Sequence, residues 1–278
     1  MPTGYWLTFG NSTCGFNGKG VGWEPPIVLP PYTIRLKFTE GVTPTFSKGT
    51  GTQVSSSPNV WDLTYADTNW GHLLYDQREL LEVVAANTTG VTNMRGMLEN
   101  CYSLTSVSLF DTATVTDMMS LFSNCKRLVS LPALNTANVT NMMSLLSGCS
   151  RLTSLPALNT ANVTNMSYML YECFSLVSVP ALNTANVTTM ASMLDGCSSL
   201  VSVPALSTAS VTYMDSTFRN CTSVQSGALA LYQQASTQAT PPPSHSGCFS
   251  GCGLNAPSDA PIHAEMRQIP MSWGGYRL

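Results

Sequence analysis

Six cysteines, Cys101, Cys125, Cys149, Cys173, Cys197 and Cys221, follow one another at intervals of 24 residues. A thiol can close a disulfide, bind a soft metal or act as a nucleophile, and the spacing bears on each. One cysteine per interval places all six in the same slot of a repeating unit. Units stacked at strand spacing would hold them about 4.8 Å apart, slightly wider than the roughly 3.5–4.5 Å Cβ separation of a disulfide. The expectation is a column of reduced, buried thiols acting as small hydrophobes. A second constellation, "HSGCFSGC" at 245–252 with His263, offers His245, Cys248, Cys252 and His263, a donor set that zinc would accept. The repeat accounts for it otherwise: it superposes on "MMSLLSGC" at 142–149, which puts His245 and Cys248 in apolar slots and Cys252 in the cysteine slot. Neither a metal nor a cofactor is expected.

Catalytic groups are no better organised. Asp62, Asp67, Asp76, Glu79 and Glu82 bunch together, yet no histidine or nucleophile stands at a recognised spacing from them, and His72 projects from a variable slot. The chain has no phosphate loop, no Gly-x-Ser-x-Gly and no His-Glu-x-x-His. These acids read as a solvated face, and an enzyme is not expected. Asn-x-Ser/Thr occurs at Asn11, Asn87, Asn138, Asn162, Asn165, Asn186 and Asn220. Several of these are the repeat's own "NVT", which marks turn and cap chemistry.

Composition narrows the classes further. Of 278 residues only 10% are charged and the net charge is −3, so there is no basic field to hold nucleic acid. The first residues, "MPTGYWLTFGNSTCGFNGKG", have neither a charged start nor an apolar core of the kind a secretory signal needs. No run of about 18 apolar residues is present, so no membrane span is expected.

The element that must position these side chains is written as a repeat. "NTANVTNM" stands at 135–142 and at 159–166, "NTANVTTM" at 183–190, and weaker copies end at Met94, Met118 and Met214. A period of this length with recurring leucine is the signature of a leucine-rich-repeat solenoid, whose units bury their apolar faces only against one another. Within one unit Val139, Met142, Leu145, Leu146, Cys149, Leu152, Leu155 and Leu158 are the inward slots. Met142 to Cys149 places them at i, i+3, i+4 and i+7, which predicts a short helix of about two turns with Thr140 as its N-cap. "RLTSLPAL" predicts a short strand near Leu155 that Pro156 interrupts. The predicted fold is therefore an α/β repeat, a solenoid of short helices and short interrupted strands. A small β-rich N-terminal module precedes it, with "YTIRLKF" and "NVWDLTY" as strand candidates. The corresponding divisions are 1–66 for the arm and β module, 67–226 for the repeats, and 227–278 for an inserted helix, an atypical last repeat and a cap.

Units held to one core vary where their side chains face outward. Two slots after the methionine stand Gly96, Ser120, Ser144, Tyr168, Ser192 and Ser216. Two before the cysteine stand Glu99, Ser123, Ser147, Tyr171, Asp195 and Arg219, and just after it Tyr102, Lys126, Ser150, Phe174, Ser198 and Thr222. One unit alone fills all three places with aromatics. Tyr168, Tyr171 and Phe174 form a candidate ridge for stacking on a sugar or anchoring a protein partner. Lys126, Arg127 and Arg151 form a second, basic patch. Ser106, Ser130, Ser154, Ser178, Ser202 and Ser226 hardly vary, as expected of a structural face or of one that binds something itself repetitive.

With the slots written out, units such as "NVTNMSYMLYECFSLVSVPALNTA" resemble the BspA-like leucine-rich-repeat surface proteins. The resemblance covers about 67–226 and, more loosely, 245–278. It implies a protein displayed outside a bacterium and used in adhesion to host proteins or other cells. Endings like "IPMSWGG" also resemble products of gut bacteria and their phages. The expected function is non-catalytic recognition of a cell-surface protein or glycan, on a bacterial surface or in a phage virion, by an adhesin-type or receptor-binding component. The alternative is a structural virion subunit that docks an assembly partner through residues 1–66, and self-association into a homo-oligomer is a further expectation.

Overall fold

The computed structural model describes residues 27–238 and 241–276, and the backbone of two short strands before them, β1 (Trp6–Phe9) and β2 (Ser12–Gly15). These two pair antiparallel as a hairpin. Apart from these two strands, residues 1–26 of the expected N-terminal arm, Asn11 among them, lie outside the described residues. Five more strands make one open mixed sheet in the order β4–β5–β3–β6–β7. They are β3 (Thr33–Phe38), β4 (Thr50–Ser56), β5 (Asn59–Thr64), β6 (Leu80–Asn87) and β7 (Ser106–Val107).

Central strand β3 shows why this sheet forms. Ile34, Leu36 and Phe38 are buried in alternation with Arg35 and Lys37, the period of two that a one-sided strand requires. The two cations meet acids directly across the ladder: Arg35 Nε lies 2.7 Å from Asp62 Oδ1 on β5, and Lys37 Nζ lies 2.8 Å from Glu82 Oε1 on β6. Opposite charges so placed favour the observed register.

From β6 onward the chain repeats itself in space. β6 and β7 pair in parallel with Glu82 opposite Ser106, an offset of 24 residues, and the amide of Ser108 donates to Val83 O at 2.8 Å. In later units the place of Ser108 is taken by Pro132, Pro156, Pro180 and Pro204, which have no N–H to give. The strand ends there, and on this side the ladder continues by single bonds such as Thr153 N to Val129 O.

On the other side the predicted helix is absent. In residues 142–149 the amides of Met142, Ser144, Leu146 and Gly148 donate to carbonyls of Asn165, Ser167, Met169 and Tyr171 in the next unit. Those of Leu145, Ser147 and Cys149 close turns onto Met142, Ser144 and Leu146. Alternate peptides thus point along the stack, and none is left for the i to i−4 bonds of an α-helix. The chain bends this way because every fourth residue is left-handed, as at Ser144 (φ 56) and Gly148 (φ 73). A bend every four residues still brings Met142, Leu145, Leu146 and Cys149 inward, so the apolar spacing matches a helix without one forming. Thr140 is not an N-cap either: its Oγ1 donates to Thr116 O in the preceding unit.

The predicted α/β repeat with short helices is therefore corrected. The protein is mostly sheet, built on one open mixed sheet, with parallel bridges running from Asn69 through Asn93, Asp117, Asn141, Asn165, Thr189 and Tyr213 to Ser244. Among the described residues the two α-helices are α1 (Ala228–Ser236) and α2 (Ile262–Gln268), both beyond the six regular copies. No helix among those residues is long and apolar enough to cross a membrane.

The octapeptide recurs because each of its polar residues has a bond to make. Asn135 Oδ1 accepts the amide of Ala137, and Thr136 Oγ1 donates to Asn159 O in the next unit. Asn138 Nδ2 donates to Ala113 O and Thr140 Oγ1 to Thr116 O, both in the preceding unit, while Asn141 Oδ1 accepts the amide of Met143. Asn162 and Asn186 repeat the bond of Asn138, so these Asn-x-Thr asparagines are spent on the ladder.

Both ends of the stack are closed. Lys48 Nζ donates to Gly71 O, a carbonyl of the first unit with no unit before it to serve. At the far end the amides of Gly247 and Phe249 donate to Ser272 O and Trp273 O. Gly274 follows with φ 93, so close to the backbone of Phe249 and Ser250 that a Cβ would collide. Glu265 on α2 accepts the amides of Gly227 and Leu229 at the start of α1, tying the two helices together.

Candidate recognition surface

The left-handed bends decide which side chains face out. Two bends occur in each of eight successive turns, at His72 and Asp76, Gly96 and Asn100, Ser120 and Asn124, Ser144 and Gly148, Tyr168 and Glu172, Ser192 and Gly196, Ser216 and Asn220, Gly247 and Gly251. Glycine, asparagine and aspartate accept such a conformation most readily, and they hold the second bend everywhere except at Glu172. Bulky residues take it at a cost of about 1–2 kcal/mol. Only one unit puts two such residues, Tyr168 (φ 57) and Glu172 (φ 55), into both bends.

That unit is the one with the aromatic ridge. Tyr168 is 41% exposed, and its ring meets that of Tyr171 edge-on with centroids 5.8 Å apart. Phe174 is 45% exposed in the column just after the cysteines. The neighbouring units do not leave low ground on both sides. Ser192 and Asp195 are buried, Asp195 to 2%, and Arg219 reaches over from the following unit. Its Nη2 lies 2.6 Å from Asp195 Oδ2, off the line of a good hydrogen bond, so that this oxygen has no aligned donor. The Asp195 carboxylate is the main reason the Arg219 pKa is raised, and both tyrosines add to the rise. The pKa of the Tyr171 phenol is raised as well, first by the Glu172 carboxylate beside its hydroxyl, then by burial. Tyr168, Tyr171, Glu172, Asp195 and Arg219 thus form one cluster. Sequence reasoning named only the tyrosines, although Tyr171, Asp195 and Arg219 share a slot at intervals of 24 and the grouping was open to inspection.

The basic patch is arranged differently from its reading in sequence. Lys126 Nζ lies 5.2 Å from the centre of the Tyr102 ring, and the guanidinium carbon of Arg78 lies 5.5 Å from the same centre. Arg78, Tyr102 and Lys126 occupy one slot in successive units, so cation, ring and cation follow in a column. Arg127 and Arg151 are exposed one residue further along. The acids near the first unit are not a free solvated face. Asp62 and Glu82 pair with Arg35 and Lys37, Asp76 pairs with Arg78, and Glu79 accepts from Thr39.

Each column cysteine is buried and donates its thiol to a carbonyl 27 residues earlier, as Cys125 to Leu98 O at 3.2 Å and Cys149 to Phe122 O at 3.2 Å. Burial pushes the thiols up from an ordinary 9.0 to about 12 at Cys101 and Cys149, and upward at every other one in the column. Such thiols are poor nucleophiles and poor metal ligands. Of the zinc set, Cys248 and Cys252 are buried, the His245 ring stacks on Trp273 at 4.2 Å, and His263 bonds Tyr276. Among the described residues no three metal-binding side chains converge. Away from the ridge, a groove of ≈ 880 Å³ runs between Ile27–Leu29, Ala85–Thr89 and Leu109–Ala113.

A family model described as "Mycoplasma protein of unknown function, DUF285" matches residues 71–179 and 174–237. No curated protein and no solved structure matches the chain.

Proposed function

Because the chain belongs to the DUF285 family, whose description assigns no activity, we propose a function from its surface: non-catalytic recognition outside the cell. The protein acts in this account as an adhesin-type or phage receptor-binding component that engages a cell-surface ligand. One observation carries it. The bends of this fold favour glycine, asparagine or small residues, yet a single unit spends both of its bends on Tyr168 and Glu172 and sets Tyr168 against Tyr171 at the surface. Residues held in costly backbone conformations cluster where function requires them. Tyrosine and arginine side by side are also the side chains that most often anchor a partner. The rest of the unit, with its inward methionine, leucine and cysteine and its bonded asparagines and threonines, is occupied in holding the stack.

The resemblance of the units to BspA-like surface proteins supports the same placement. The test is location and attachment together. Antibody to the chain is applied to washed bacterial cells and to purified virions, and the purified protein is offered to host and bacterial cells. Labelling of either surface with saturable attachment to cells is expected. Labelling of neither surface, or incorporation into virions with no attachment to any cell, contradicts recognition, and the second outcome establishes a structural role.

A further inference from the structure

We infer that the cluster of Tyr168, Tyr171, Glu172 and Arg219 is a carbohydrate-binding site, selective for neutral sugars with adjacent hydroxyls. The inference rests on the recognition function proposed above and names its ligand class.

The two phenol rings meet edge to face at an interplanar angle of 68°, with Tyr168 exposed and Tyr171 half-buried beside it. The C–H face of a pyranose is apolar and flat, and covers such a ring without losing a hydrogen bond. At the rim of a ring-stacked sugar, hydroxyl groups need both donors and acceptors. Arg219 supplies the donors: its side chain is 47% exposed, and Asp195, buried beneath it, holds the guanidinium in place. Glu172 supplies the acceptor, half-buried beside the hydroxyl of Tyr171. A hydroxyl is donor and acceptor at once, so two adjacent ones satisfy a guanidinium and a carboxylate together.

The charge balance sets the selectivity. Asp195 offsets Arg219, and Glu172 leaves the cluster with one negative charge, which opposes sialylated or sulfated sugars. Asp195 holds one side of the Arg219 fork at 2.6 Å, and the guanidinium, with five N–H donors on a side chain 47% exposed, keeps others for a ligand. The backbone adds pre-organisation. Tyr168 and Glu172 sit at the two left-handed bends of one turn, tied to the next unit by the bonds from Tyr168 N to Ala191 O and from Glu172 N to Asp195 O. A rigid platform loses less freedom when a flexible glycan docks.

The test offers the full-length chain to immobilised neutral oligosaccharides, namely hexose and N-acetylhexosamine oligomers, and to sialylated and sulfated counterparts. Wild-type protein should be retained by neutral members over acidic ones, and Y168S/Y171S should bind at least about tenfold more weakly. R219K, which keeps the charge and loses the fork, should weaken binding similarly, with circular dichroism verifying the fold of both variants. In parallel, attachment to cells is measured before and after periodate, which cleaves adjacent diols. Attachment lost on periodate treatment, and lost again in the tyrosine variant, supports the site. If attachment survives periodate but fails in the variant, recognition stands and the ligand is a protein, not a sugar. Equal attachment by variant and wild type removes both readings, and retention of acidic members alone overturns the neutral selectivity.

Discussion

Glu172 and Gly196 hold the same place in successive units and the same left-handed backbone, at φ 55 and φ 81, and only the glycine is suited to it. A Cβ on Gly196 would sit 3.4 Å from Glu172 Cα, so the two bends stack on one another. Replacing Glu172 by glycine removes the steric cost of the left-handed conformation. E172G should be about 1 kcal/mol more stable than the wild type in urea unfolding. A loss of stability would show that the Glu172 side chain contributes more to the fold than its backbone costs.

The thiol column sets a pH dependence. Each of these cysteines ionises near 9.0 when unfolded and well above that when buried, near 12 for Cys101 and Cys149. Between those values the folded state keeps a proton that the unfolded state has released, so stability is full below about pH 9 and falls as pH rises. Each thiol adds about 1.4 kcal/mol per pH unit to that slope. Urea unfolding from about pH 8 to about pH 11 measures it, and C149A should be shallower by one thiol's share. An identical slope in C149A would contradict a buried, protonated Cys149.

The C-terminal closure should be indispensable. Met214, Ser216, Phe218 and Asn220 donate their amides to Ser244, Ser246, Cys248 and Ser250, and that turn is closed in its own right by Ser272 and Trp273. Removing residues 227–278 exposes four donors together with the apolar side of the last unit, and aggregation is expected. G274A probes the same closure by one methyl group against the Phe249 and Ser250 backbone, and should cost about 2 kcal/mol or more. A soluble, cooperatively unfolding truncated monomer, or a neutral G274A, would show that the stack does not need this end.

Much of this architecture is legible in sequence, because the period is written out and each inward slot recurs. The slots of Val139, Met142, Leu145, Leu146 and Cys149 are all buried. What misled was secondary structure. Apolar residues at i, i+3, i+4 and i+7 fit a helix and fit equally a string of four-residue bends whose amides alternate between their own turn and the next unit. The discriminating signal lies in the residue before every column cysteine but Cys173: Asn100, Asn124, Gly148, Gly196 and Asn220 are residues that tolerate a positive φ, where a helix would favour none of them. Likewise Pro132, Pro156, Pro180 and Pro204 do more than interrupt a strand in each unit, since they remove the donor that Ser108 uses. The aromatic ridge is visible as a departure from the repeat, and its polar half emerges only when the slot shared by Tyr171, Asp195 and Arg219 is read as a column across neighbouring units.

On the proposed function, the recognition surface is separable from the stack that carries it. Changing Tyr168, Tyr171 and Phe174 together to serine tests this most directly. Serine already occupies the left-handed bend at Ser144 and Ser192, so the melting temperature of Y168S/Y171S/F174S should be unchanged or slightly raised, within about 0.5 kcal/mol of wild type for the exposed positions. Attachment to cells should fall at least about tenfold, the loss expected when an aromatic anchor is truncated. A folded triple variant that attaches as well as wild type would contradict the claim.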